Sequence, residues 1–190
     1  MAYMHETDEQ LYLRYFTDGD EDAFRLLLER YEDSLTFFIF GLVNSMEDAE
    51  ELMMDSFAAV ASGTAKYRYH EDSSFKTWLF AVGRNQARMF LRKKRFSFVS
   101  LDESIQITAD SPETELLAEE SRRQLYEGLS KIKEDYRLVL HLTYFEDMKP
   151  EQVAQVMKKS IKQVYNLLSR GKKALREELE RMGYSYAQYR

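Results

Sequence analysis

Four arginines, Arg84, Arg88, Arg92 and Arg95, recur at steps of four, four and three within Ser74–Arg95. On a helix this spacing sets the guanidiniums in one row, where they repel each other. No acidic residue lies between Ser73 and Val99 to neutralise them. Such a row is either a solvated face or a surface for a polyanion. Solvated faces ordinarily mix signs, so a phosphate backbone is the better complement. A second polar face carries related chemistry. Lys162, Asn166, Ser169, Arg170 and Lys173 share one side of a helical pattern, opposite Val164, Leu167, Leu168, Gly171 and Leu175. Lysine, arginine and asparagine suit base edges and phosphates in a major groove.

The surrounding stretch, Pro150–Arg170, has the rhythm of a helix-turn-helix: a short helix, a polar turn and a capped longer helix. An ordinary αα-hairpin has the same outline, and the turn Lys158-Lys159-Ser160 lacks the glycine often found there. Acid is concentrated elsewhere. Glu47, Asp48, Glu50, Glu51 and Asp55 follow a helix start. First-turn carboxylates offset the macrodipole, but Asp55 lies beyond that turn. The ridge could instead dock a basic protein surface. Between acid and arginine, Lys66-Tyr67-Arg68-Tyr69-His70 alternates cations with rings. Rings beside cations can stack unpaired bases, and they can equally cap the edge of a core. His5, His70 and His141 are scattered, and no phosphate-binding glycine loop, nucleophile elbow or metal-ligand spacing is present. We read no catalytic residue, no metal site, no cofactor and no enzyme.

These side chains need helices to hold them. Seven glycines and two prolines are few against about 13 and 10 from average usage, which points to an all-α chain. Thr7–Gln10 reads as a capping box, Gly19 as a stop and Asp20 or Asp22 as the next cap. A long helix follows to Val43, and Ser45–Asp48 caps another. In the arginine-bearing helix Phe75, Trp78, Leu79, Val82, Gln86 and Met89 are expected inward, with the arginines opposite. From Phe96 to Ser111 the period is lost, as in a flexible linker. Pro112 opens a further helix, Asp135–Phe145 forms another, and Ser160 caps the last. The expectation is two helical domains, 1–95 and 112–183, joined by a linker at 96–111, with a tail at 184–190.

Net charge is −6, but its distribution matters more: −12 over residues 1–60, +7 over 61–100, −6 over 101–135 and +5 over 136–190. Alternating blocks suggest more than one kind of partner. With no cysteine, disulfides and thiolate sites are excluded, which suits a cytoplasmic location. The longest apolar run, Leu35–Val43, is far short of the ~20 residues a membrane span needs.

Taken together, the chain resembles the extracytoplasmic-function (group IV) sigma factors of bacterial RNA polymerase. GDEDAFRLLLERY (19–31) resembles the start of that family's first domain, and MEDAEELMMDSFAAV (46–60) its polymerase-binding helix. SSFKTWLFAVGRNQARMFLRKKR (73–95) resembles its promoter-melting helix, and residues 137–175 its fourth conserved region. The resemblance implies that Asp48, Glu50, Glu51 and Asp55 bind core RNA polymerase. It implies that Lys66, Tyr67, Arg68, Tyr69, Arg84, Asn85, Arg88, Arg92 and Lys93 bind the minus-ten element of promoter DNA. Lys162, Gln163, Asn166, Arg170 and Lys173 would bind the minus-thirty-five element. An anti-sigma factor is a further partner common in the family. Three positions depart from its pattern: Met54 for a glutamine, Lys158 for the turn glycine and Gly171 for an alanine. The competing readings are an autonomous helix-turn-helix regulator and a helical adaptor that binds only protein.

Overall fold

Local capping chemistry sets where the helices begin and stop. In the computed structural model, which describes residues 6–63, 69, 73–97 and 125–184, α1 spans Asp8–Asp18. The Thr7 hydroxyl accepts from Gln10 N, Gln10 reaches back to Thr7 N at 2.9 Å, and Gly19 closes the helix at φ 69°. The Asp20 carboxylate accepts from Ala23 N at 3.1 Å and opens α2 (Glu21–Val43). Asn44, left-handed at φ 58°, ends it. Ser45 caps α3 (Met46–Ala61), and Ser74 caps α4 (Phe75–Ser97) by accepting from Thr77 N at 3.2 Å. The α4 N-terminus also has Phe75 N donating to Glu9 Oε1 at 2.9 Å, which satisfies one of its orphan donors.

These four helices bury Leu27, Leu35, Phe38, Ile39, Phe57, Val60, Phe75, Leu79 and Phe80 almost completely. The second module holds α5 (residues 125–131), α6 (Glu134–Tyr144), α7 (Pro150–Met157) and α8 (Ile161–Arg181). Its core is Leu138, Val139, Leu142, Val153, Val156, Met157 and Val164. Pro150 is the first residue of α7, and Ser160 with Gln163 forms a full capping box on α8. At Gly171 α8 packs on α6 closely enough that a Cβ would just touch Leu140 Cγ and Tyr136 Cβ, each at 3.4 Å.

The chain is all-α among its described residues, with two helical modules and a helix-turn-helix in the second. Phe96 and Ser97 continue α4, two residues past the expected linker start. Residues 98–124, with Pro112, lie outside the described residues, as do Lys66, Tyr67, Arg68 and the tail beyond Tyr184.

The modules are packed together rather than held apart, with α4 against α7 and α2 against α6. At this seam Lys76 Nζ donates to the Glu146 carbonyl at 2.7 Å and pairs with its carboxylate at 2.8 Å. His141 Nε2 lies 3.3 Å from the other Glu146 oxygen. Gln152 Nε2 donates to Ser74 Oγ and to Thr77 Oγ1, each at 3.1 Å. Phe37 stacks on Tyr126 with centroids 5.6 Å apart.

Candidate nucleic-acid interface

The two-sided packing of α4 corrects the expected division of its faces. Phe75, Leu79 and Val82 are buried as expected, but Trp78, Gln86 and Met89 are only half-buried. Phe80, Ala87 and Arg84 are buried as well. A helical wheel drawn for one partner misplaces them, because α2 and α3 cover one side of α4 while the second module covers another.

Arg84, expected on an open nucleic-acid face, is 6% exposed in the seam. Its Nε has no hydrogen-bond partner. Burial and the neighbouring Arg88 both pull its guanidinium below the ordinary arginine range, and Asp135 and Glu134 only partly offset them. Arg88 is exposed, with one long ion pair to Glu134 at 3.4 Å. Arg92 and Lys93 are exposed and Asn85 is half-buried. The arginine row is therefore split. One member is sequestered, Arg88 and Arg92 face solvent, and nothing is described of the Arg95 side chain.

Tyr69 belongs to an aromatic cluster, with ring centroids 5.7 Å from Tyr12 and 5.2 Å from Trp78. Its hydroxyl donates to the Ser73 carbonyl at 2.7 Å. Tyr12, Phe16, Gly63 and Tyr69 line a cavity of about 450 Å³. Sequence reasoning did not place Tyr12 or Phe16 there, because their helix and the loop are joined only by tertiary packing.

On α3, Glu50, Glu51 and Asp55 are exposed, as is Met54 beside them. Asp48 is half-buried and pairs with Lys94 at 3.2 Å, which ties the ridge to the end of α4. On α8, Lys162, Asn166 and Arg170 are exposed on the face away from buried Val164 and Gly171. Gln163 is exposed but its Oε1 accepts from Ser160 N at 2.8 Å, so capping occupies half of its amide. Lys173 has a weak i,i+4 pair with Glu177 at 3.7 Å. Lys76, Glu146, His141, Gln152 and Lys158 complete the seam and its edge. Of these, Lys158 alone stood out in the sequence, as the residue in place of the turn glycine.

No helix among the described residues is long and apolar enough to cross a membrane. Residues 27–97 match the Sigma-70 region 2 family model, and residues 122–175 match Sigma-70, region 4. Similar proteins include the RNA polymerase sigma factor YlaC of Bacillus subtilis, 28% identical over 85% of this chain and 92% of that protein. The ECF RNA polymerase sigma factor SigW of the same organism is 23% identical over 85% and 91%. Two solved structures share the fold. CnrH, in complex with the cytosolic domain of CnrY, has a TM-score of 0.66 at 21% identity, covering 92% of this chain and 98% of that one. The sigma factor RpoE of Bartonella quintana, in complex with the anti-sigma factor NepR, has a TM-score of 0.65 at 20% identity, covering 83% and 96%. With both conserved regions matched in family order and each borne on its own helical module, the chain belongs to the extracytoplasmic-function group of the sigma-70 family.

Proposed function

We infer that this chain is a dissociable specificity subunit that binds core RNA polymerase and directs it to specific promoters. Its part in initiation is recruitment and strand opening rather than bond chemistry of its own, and its workplace is the cytoplasm. An anti-sigma factor is a fitting further partner. The observation that carries the reading is the segregation of charge by surface. Glu50, Glu51 and Asp55 face outward on α3, Arg88 and Arg92 on α4, and Lys162, Asn166 and Arg170 on α8. The acid ridge suits polymerase, with electrostatics setting register and on-rate. The α4 cations, with the alternating cations and rings of Lys66–Tyr69 in the sequence, suit the minus-ten element. The α8 row, inside a helix-turn-helix, suits base edges of the minus-thirty-five element.

The packed seam adds a step. The two elements are centred about 25 base pairs apart, or roughly 85 Å at ~3.4 Å per pair. In the packed arrangement Gln152 of α7 touches Thr77 of α4 at 3.1 Å. The adjoining α8 has 21 residues, about 32 Å of helix. Both elements cannot be held at once until the modules part. The 27 residues 98–124 have an extended length of about 90–97 Å, enough for that separation. A buried guanidinium with an unpartnered Nε favours the same view, because parting releases Arg84 to phosphate. Two modest contacts then act together through effective concentration.

Run-off transcription with core polymerase, with and without the chain, tests the function. Promoter-specific transcript is expected only with the chain present. Arg88→Ala and Arg170→Ala are each expected to lower it by about fivefold or more. If neither substitution changes any transcript, the protein-only adaptor reading takes its place.

A further inference from the structure

Where the modules meet, a cavity of about 460 Å³ opens between α4 and the turn leading into α8, with Trp78, Asn85, Arg88, Arg92 and Lys158 in its wall. That volume falls within the range of small-ligand sites, roughly 300–1,000 Å³. No carboxylate lines it among the described residues. Among the described residues Arg92 and Lys158 make no ion pair, and Arg88 has its long contact to Glu134. Three cations therefore converge without a matched counter-charge, around a half-buried indole.

Lys158 is informative for a second reason. It stands at φ 54°, ψ 48°, ending α7 in the left-handed region. Glycine adopts this conformation freely and lysine only under strain. Among the described residues, this strained lysine is what the second module contributes to the cationic wall.

We propose that this cleft binds a nucleoside polyphosphate, its base against Trp78 and Asn85 and its phosphates among Arg88, Arg92 and Lys158. Guanidiniums take phosphate oxygens in pairs, and the ammonium adds a point charge from the opposite side. The indole supplies a stacking surface that a bare anion does not use. Because the wall comes from both modules, an occupied cleft holds them together. The ligand thus opposes the parting that promoter engagement requires. The binding claim stands on the cleft alone, whereas its effect on initiation rests on the function inferred above.

Trp78 is the chain's one tryptophan, so its emission reports occupancy directly. The full chain is titrated with ATP, GTP, inorganic triphosphate and a single-stranded oligodeoxynucleotide. Saturable quenching by at least one nucleotide is expected, about fivefold or more tighter than by triphosphate. Lys158→Gly relaxes the turn while removing the ammonium, and Lys158→Gln keeps the side-chain length. Both are expected to weaken nucleotide binding about tenfold. Absence of saturable quenching at millimolar nucleotide overturns the proposal. So does triphosphate binding as tightly as nucleotide, or wild-type affinity in both Lys158 variants. Quenching by the oligonucleotide alone also overturns it, since the cleft then serves only the promoter strand. Neither polymerase nor promoter enters the titration, so its failure leaves the inferred function intact. A run-off failure likewise leaves the binding intact.

Discussion

Arg84 sits where its own chemistry is least satisfied. A buried guanidinium bears a desolvation cost, and its Nε finds no acceptor. Replacing a poorly compensated buried charge with an apolar side chain of similar length relieves its desolvation cost. Arg84→Met is expected to stabilise the chain by about 1 kcal/mol, raising the melting midpoint by roughly 2–4 °C. Promoter-directed transcription is expected to fall. Thermal denaturation and run-off assay together check this, and a lower melting midpoint would show that Arg84 stabilises the packed form. Glu146 has the opposite character. Burial alone would raise its carboxyl, but the His141 ring and the Lys76 ammonium outweigh burial and hold it below the ordinary glutamate range. A carboxylate depressed in this way contributes stability that is fully present above its unfolded pKa. That stability is lost as pH falls through the depressed value. The seam is therefore expected to loosen only below the ordinary glutamate value of 4.5. With no native cysteine, fluorophores on Glu29→Cys and Glu180→Cys report the distance between modules. Lys76→Ala is expected to cost the seam about 1.5–3 kcal/mol and to flatten this acid response.

At the scale of elements, α8 depends on its cap and on one close approach. At Gly171 a Cβ would just touch Tyr136 and Leu140, at 3.4 Å, so a methyl fits and a branched side chain has no room beyond it. Gly171→Val is expected to push α8 off α6 and to cost about 1–3 kcal/mol by overpacking. Denaturant midpoints measure it, and a midpoint equal to the wild type's would show that α6 yields freely. Much of this level was legible in the sequence. Thr7, Asp20, Ser45, Pro150 and Ser160 mark helix starts through chemistry that acts over three residues, whereas the Ser74 cap on α4 was not read from the sequence. The exposed rows on α3 and α8 were also legible, because each of those helices packs through one main face. α4 was not, since periodicity records how many residues are apolar and not how many partners bury them. Arg84 was assigned outward for that reason. Lys76, Glu146 and Gln152 meet across 70 to 78 positions of sequence, a separation at which no local pattern survives.

For the whole molecule, the proposed function sets the packed arrangement against the reach between promoter elements, and so predicts two states. Lys76–Glu146, Gln152 with Ser74 and Thr77, and Phe37 on Tyr126 hold the first. The second would exchange these contacts for polymerase and phosphate. The net charge of −12 over residues 1–60 predicts weak duplex-DNA binding by the free chain, and the seam buries Arg84. The most direct measurement joins Ser74→Cys to Gln152→Cys with a short bis-methanethiosulfonate cross-linker, which releases methanesulfinate at each end and is cut by a reductant, because the native side-chain atoms lie 3.1 Å apart. The bridged chain is then assayed by run-off transcription with core polymerase, before and after the bridge is cut. No promoter-specific transcript is expected from the bridged chain, and full transcript is expected once it is cut. Transcription by the bridged chain at the level of the unbridged one would contradict a sigma factor that must open to work.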